Sequence, residues 1–207
     1  MKKLLILLFS LFFLYSPSVF ADDISDFEIE GISIGDSLLD YMTEDEILKE
    51  IEVNKDRFLH LKEPYKYLQI NQYKDFPTFD SLSFLIKNNS TNQYIKDKNE
   101  KYTILYVAGS INFYEDFDNC IVKRDAISES ISSMFLDIQK TEELFSNSVD
   151  PSGNSIIDGV YYRFDSGAEI DTYCENYEKK FRIKMNWNEG LIVSLSSVET
   201  TSWLYDY

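Results

Sequence analysis

Apolar residues alternate with polar ones along much of the chain, and this period of two predicts β-strands. In the first half the alternation occurs three times, over Tyr65–Tyr73, Ser81–Lys87 and Tyr102–Phe113. Within the third segment the apolar phase shifts by one residue after Gly109. A glycine at such a shift predicts a β-bulge.

Two segments have helical spacing instead. Thr43 is followed three residues later by Glu46, a capping-box pattern that predicts a helix start, with Thr43 as the helix cap. A second helix of about four turns is predicted from Asp118 onward. Its apolar face consists of Ile127, Ile131, Met134, Phe135 and Ile138, and its solvated face of Lys123, Glu129, Ser132 and Asp137.

The last third of the chain is predicted to be antiparallel sheet. Turn-forming residues are dense over 146–158, which predicts a loop. Four alternating segments follow, and glycine-containing turns join them into two hairpins. The predicted strands are Val160–Phe164, Ala168–Cys174, Phe181–Trp187 and Leu191–Val198. The aromatic tail, Trp203 to Tyr205, is expected to dock on the protein's own surface.

This order of elements predicts the α+β fold class, with antiparallel sheet in a helix-plus-meander order that is repeated twice and with helices packed on one face. Residues 22–207 are expected to form a single domain, and a division into halves 34–114 and 118–207 is the alternative. The uncovered sheet face would be polar with interspersed tyrosines. Such a face is either a binding surface or only a solvated one.

The N-terminus has the pattern of a cleavable signal peptide over residues 1–21. Lys2 and Lys3 precede the apolar run Leu4–Tyr15, and small residues precede a cleavage site after Ala21. The run is shorter than the roughly 20 residues that span a bilayer. We therefore expect a periplasmic or secreted protein without a membrane span in its mature form.

The chain is strongly acidic, with 20 basic residues against 36 acidic ones and a formal net charge of −16. Negative surfaces repel phosphate backbones and anionic headgroups, so nucleic acid is not expected as a partner. Hydrophobic residues make up 44% of the chain, enough for a packed core.

Cys120 and Cys174 are the two cysteines of the sequence. In an oxidising compartment they are expected to form a disulfide. Closing a loop of this length would contribute on the order of 4 kcal/mol to stability in the chain-entropy model. A redox pair is the alternative, but the Cys-x-x-Cys spacing is missing.

The tetrapeptide Gly35-Asp36-Ser37-Leu38 resembles the motif of the GDSL esterases and lipases. That resemblance implies Ser37 as a nucleophile, working with a histidine near the C-terminus. The single histidine, His60, lies far from the C-terminus, and a serine without a base is a poor nucleophile. The other interpretation makes Ser37 a helix cap with Asp40 as its acidic partner, and we predict this role and no catalytic residue.

Other candidate sites have weak signals. His60 is flanked by apolar residues, and the acidic groups Glu115–Asp118 and Asp150 with Asp158 lack the spacing of a calcium-binding loop. Single glycines at turns provide no phosphate loop. We therefore predict no metal site and no cofactor.

The segment Glu30–Asp45 is similar to the openings of β-lactamase-inhibitor-like and outer-membrane-assembly lipoprotein modules, although no lipobox cysteine is present. The chain from Phe27 to Leu204 looks like a family of uncharacterised exported proteins from marine bacteria. The first resemblance implies a binding or assembly protein without catalysis, and the second implies a compartment and no activity. From the signal peptide, the sheet-rich pattern and the lack of an assembled catalytic set, we predict an exported, non-enzymatic binding or envelope-interaction protein with a protein or small-molecule ligand. A GDSL-type esterase using Ser37 is the alternative.

Overall fold

The structure, a computed structural model, describes residues 24–74, 76–135 and 138–204. The predicted signal peptide, Asp137 of the second helix and Tyr205 of the tail lie outside the described residues. No helix within these ranges is long and apolar enough to cross a membrane.

Seven strands and four α-helices make up the described fold, with short 3-10 helices between them. The strands are β1 (Tyr67–Gln72), β2 (Ser81–Lys87), β3 (Ile104–Asn112), β4 (Gln139–Ser146), β5 (Ile156–Arg163), β6 (Glu169–Asn176) and β7 (Gly190–Ser196). The helices are α1 (Glu44–Asn54), α2 (Phe117–Met134), α3 (Lys179–Met185) and α4 (Val198–Leu204).

The strands form one antiparallel sheet in the order β1-β2-β3-β7-β6-β5-β4. The predicted α+β class, with its twice-repeated helix-plus-meander order, is confirmed. Pairing between β3 and β7 joins the two halves of the chain. Gly190 opens β7 with φ of +145°, and a Cβ there would lie 2.1 Å from the carbonyl oxygen of Ile111. The backbones meet so closely that this position requires glycine.

One face of the sheet, the apolar face, carries the main core. Strand side chains such as Phe84, Val107 and Ile170 pack there against α2 and the N-terminal segment. The predicted disulfide is confirmed, with the Cα atoms of Cys120 in α2 and Cys174 in β6 6.0 Å apart. Helix and sheet are therefore linked covalently across the core.

The opposite face, the polar face, is covered only at one end. There α4 and the segment 55–66 form a smaller cluster around Tyr67 and Leu85 of the strands. Trp203 is 4% exposed, and its indole Nε1 donates a hydrogen bond to the carbonyl oxygen of Glu63 at 3.0 Å. The C-terminal helix thus closes one end of this face and leaves the rest open.

The predicted strand Phe181–Trp187 is wrong, because residues 179–185 form α3. Glu178 caps this helix by accepting a hydrogen bond from the Phe181 amide at 2.8 Å, and Asn186 ends it in the left-handed conformation. Ile183 is 66% exposed, so the alternation of apolar residues does not reflect burial. Tertiary contacts, including the edge-to-face pair of Phe181 and Trp187, decide the structure here.

The fourth strand of the second meander is instead β4, which the sequence did not predict. Every residue of β4 is exposed, because this strand lies at the edge of the sheet with neither face covered. Its sequence therefore shows no contrast between an inner and an outer face. The preceding helix α2 ends at Met134, earlier than the predicted Ile138.

The predicted bulge at Gly109 is also wrong. Gly109 pairs in register with Leu82 and Val193, and the irregularity lies opposite Leu85 and Ile86, nearer the start of β3. A Cβ on Gly109 would lie 2.5 Å from Cδ1 of Phe79. The glycine is needed because an aromatic ring packs directly on the strand.

Candidate functional site

Small side chains line the middle of the polar face. The register places Ser83 of β2, Ala108 of β3, Ser194 of β7 and Asp171 of β6 side by side. Because side chains alternate across a strand, these residues point away from the apolar core. A row of small residues between larger ones leaves a depression in the sheet.

This depression is a groove made of two adjoining cavities, of about 730 and 310 Å³. Both cavities are lined by Tyr106, Tyr173, Glu175 and Leu204, so they lie next to each other. The walls come from the segment after α1, the residues after α3, the β4–β5 loop and α4. Wall residues include Arg57, Trp187, Asn147 and Thr201.

Four carboxylates line the groove, and two of them have cationic partners. Glu169 pairs with Arg163, whose Nε lies 2.6 Å from its Oε1. Glu189 accepts hydrogen bonds from the backbone amides of Glu115 and Tyr177, at 2.6 and 3.3 Å, and its Oε2 lies 3.4 Å from Nε of Arg182. Glu169 and Glu189 therefore already have charged or hydrogen-bonding partners within the protein.

Asp171 and Glu175 are different, since neither forms an ion pair with any residue the structure describes. Oδ2 of Asp171 accepts a hydrogen bond from Ser194 at 3.3 Å, and its buried Oδ1 has no hydrogen-bond partner within the described ranges. Burial, aided by the charge of Glu169, raises the pKa of Asp171 to about 7. Burial likewise raises the pKa of Glu175 to about 7, against a hydrogen bond from Tyr177.

The elevated pKa values mean that negative charge in the groove is unfavourable in the free protein. A positive group beside either carboxylate would remove that cost. Perturbed carboxyl groups in a concave site are typical of functional positions.

The groove tyrosines are neutral hydrogen-bonding aromatics. Burial raises the pKa of Tyr106, Tyr173 and Tyr177 above the ordinary value of 10.0. Their phenols therefore stay protonated at neutral pH. Tyr106 and Tyr173, which line both cavities, each have a hydroxyl and an electron-rich ring face with which to contact a ligand.

Ser37 lies outside the groove lining and is 3% exposed. Its Oγ donates a hydrogen bond to the carbonyl oxygen of Lys101 at 2.7 Å and accepts one from the Leu39 amide at 3.4 Å. This geometry is that of an N-cap, and Gly35, with φ of +98°, makes the turn before it. His60 is exposed beside Phe58, and no hydrogen bond joins it to Ser37 in the part of the chain described.

Thr43 caps α1, also away from the groove. Its Oγ1 accepts a hydrogen bond from the Glu46 amide at 3.4 Å, and the Glu46 carboxylate accepts one from the Thr43 amide at 2.8 Å. The capping box predicted from these two residues is thus present.

The acidic groups considered from the sequence are held by their neighbours. Asp150 accepts hydrogen bonds from Ser152 and Ser155, which lower its pKa to about 2. Asp158 pairs with Arg124, and Glu115 lies 2.7 Å from Nζ of Lys179. No group of three or more metal-binding side chains occurs among the residues that the structure describes.

Sequence reasoning did not single out Asp171 and Glu175, although a signal was present. Ala168, Ile170, Thr172 and Cys174 were assigned to one face of a strand, which places the residues between them on the other face. The alternation identifies the polar face but does not show how deep the groove is. The depth depends on distant segments that form the walls.

Comparison with protein-family models, with curated proteins and with solved structures found no match to this chain.

Proposed function

We propose that the chain is an exported, non-enzymatic binding protein that takes a small molecule in the groove of the polar face. The groove itself carries the proposal. Its larger cavity, about 730 Å³, is within the usual range of ligand pockets, and tyrosines and carboxylates converge on it. A protein partner typically binds a flat, exposed aromatic patch, whereas this surface is concave.

Two features support export. The pattern of residues 1–21 is that of a secretory signal. The disulfide between Cys120 and Cys174 is of the kind that persists in oxidising compartments.

The esterase alternative lacks a supporting contact. The Ser37 hydroxyl is already a donor to Lys101, and it is buried at a helix start outside the groove. A nucleophilic serine needs a base within hydrogen-bond reach and an open path to substrate. The cap role accounts for the observed contacts of Ser37.

A thermal-shift screen of polar metabolites tests the proposed function. Ser110→Trp places a large ring in the larger cavity, because Ser110 is half-buried in its lining. Ser133→Trp is the matched control, because Ser133 is exposed on α2, which packs on the apolar face. We expect compounds that raise the melting temperature of the parent protein and of Ser133→Trp but not that of Ser110→Trp.

A broad screen in which no compound stabilises the parent protein would contradict small-molecule binding. Compounds that stabilise both tryptophan variants equally would place the binding site elsewhere.

A further inference from the structure

The two carboxylates without cationic partners are spaced along one strand. Asp171 and Glu175 lie on the same face of β6, with Tyr173 between them. Four residues of extended strand separate their Cα atoms by roughly 13 Å, at about 3.3 Å per residue. The groove thus has two separate carboxyl groups that a positive group could hold in the ionised form.

Positive charge from the protein is scarce around these two carboxyl groups. No Lys, Arg or His lines the smaller cavity in the described part of the chain, and Arg57 is the one cationic residue lining the larger cavity, where it is exposed. The formal net charge of −16 attracts cations from a distance. The groove is therefore complementary to a ligand with two positive ends.

A buried hydroxyl adds a second, independent feature. Thr201 of α4 lines the smaller cavity and is 8% exposed, yet its Oγ1 has no hydrogen-bond partner within the described residues. Buried polar atoms are normally paired. A polar ligand in this cavity would supply the missing partner.

The size and walls of the groove fit an organic cation better than a metal ion. The two cavities are far larger than a single ion, and the described residues contain no cluster of three metal ligands. Tyr106 and Tyr173 line both cavities, and aromatic rings attract ammonium groups through their electron-rich faces.

We propose that the groove binds an extended organic polycation, a linear polyamine of the spermidine type, with one terminal ammonium group at Asp171 and the other at Glu175. This assignment rests on the proposed function and specifies its ligand class. The chain between the terminal amines, which carries a third ammonium group, crosses the ring of Tyr173.

Calorimetric titration of the full protein with four amines tests the assignment. Spermidine, with three charges, and 1,8-diaminooctane, with two, can reach both carboxylates. Putrescine has the same two charges as 1,8-diaminooctane but is too short, and butylamine has a single charge. At an ionic strength of about 0.15 M, screening within roughly 8 Å removes most diffuse attraction to an acidic surface. We expect affinity to fall in the order spermidine, 1,8-diaminooctane, putrescine, butylamine.

Substitutions at the two carboxyl groups distinguish binding at two specific points from general attraction to an acidic surface. Asp171→Asn and Glu175→Gln should each weaken spermidine binding roughly tenfold or more, the usual effect of losing one charge-assisted hydrogen bond. The matched controls are Asp118→Asn and Glu129→Gln, each of which removes one carboxyl group from an exposed position on α2. Circular dichroism and melting curves establish that each variant is folded.

If the groove and control variants lose equal amounts of spermidine affinity, the binding is diffuse attraction to negative charge and the assignment is overturned. Equal affinity for 1,8-diaminooctane and putrescine would overturn the two-point geometry. If the metabolite screen finds groove ligands that are neutral or anionic while spermidine does not bind, the polycation assignment is wrong and the proposed function stands. If neither spermidine nor any screened compound binds, both the ligand assignment and the proposed function are wrong.

Discussion

The two faces of the sheet differ although the same strands build them. On the apolar face β6 contributes Ile170 and Cys174 to a packed core, closed by α2 and the disulfide. On the polar face the same strand contributes Asp171 and Glu175 to an open groove. Because side chains alternate along β6, its residues on one face stabilise the core and its residues on the other face line the candidate site. Substitutions on the two faces should have opposite effects on stability.

The largest expected effect comes from breaking the apolar face. The double variant Cys120→Ala with Cys174→Ala removes a crosslink between residues 54 apart, and the chain-entropy model predicts a loss of about 4 kcal/mol in the free energy of unfolding. Denaturant titration measures the loss. Reduced parent protein is the control, because it lacks the crosslink but keeps both sulfur atoms. A double variant as stable as the oxidised parent would contradict a stabilising role.

On the polar face, Asp171→Asn should stabilise the ligand-free protein. The folded pKa of about 7 lies above the ordinary 3.8, so the folded state holds a proton that the unfolded state releases. The free energy of unfolding therefore falls as pH rises through this window. Removing the carboxylate should add roughly 1–2 kcal/mol at about pH 8, after allowing for screening by water in the groove. The gain should vanish near pH 4, which denaturant titrations at both pH values can measure.

Glu169→Gln is the matched control on the same face of β6. Glu169 is paired with Arg163, so its replacement removes an ion pair and should not stabilise the protein. Equal stabilisation by both substitutions would indicate a general charge effect, since Glu169 also contributes to the elevated pKa of Asp171.

Ser37→Ala tests the cap against the esterase alternative. Loss of the buried hydrogen bond to Lys101 and of the cap contact should cost about 1–2 kcal/mol. Hydrolysis of p-nitrophenyl acetate by the folded variant should equal that of the parent protein. Enzymatic hydrolysis that disappears in a folded Ser37→Ala variant would support the nucleophile instead.

The smallest expected effect is at Thr43, an exposed helix cap outside the groove. Thr43→Ala should cost about 1 kcal/mol, because the Glu46 amide loses its acceptor. Thr43→Ser keeps the hydroxyl and should recover most of this loss in thermal unfolding. If Thr43→Ala and Thr43→Ser lose equal stability, the hydroxyl does not stabilise the helix.

Patterns of neighbouring residues in the sequence correctly predicted elements such as β2 and the cap at Thr43. The bounds of β2, Ser81–Lys87, match the alternation because Leu82, Phe84 and Ile86 all lie in the core of the apolar face. The cap at Thr43 could be predicted because its partner Glu46 is three residues away. Such features depend on near neighbours in the sequence.

The errors arise where the alternation of apolar residues does not report burial. Gln139–Ser146 is an edge strand exposed throughout, and Lys179–Met185 is a helix fixed by its caps and by an aromatic cluster around Trp187. The groove depends on walls that α4 and the segment after α1 place over the sheet. The polar face could be predicted from alternation, but Asp171 and Glu175 could not be distinguished from other acidic residues without those walls.

The position of β7 has a consequence for the order of folding. Among the described residues this is the last strand, yet it lies between β3 and β6 and pairs with both. Until residues 190–196 are available, each half has an open edge and the sheet cannot be completed. Pairing between segments as distant in sequence as β3 and β7 is slow. We expect the sheet to stay incomplete until residues 190–196 have been synthesised, and under the proposed export such an incompletely folded chain would still be able to pass through a translocation channel.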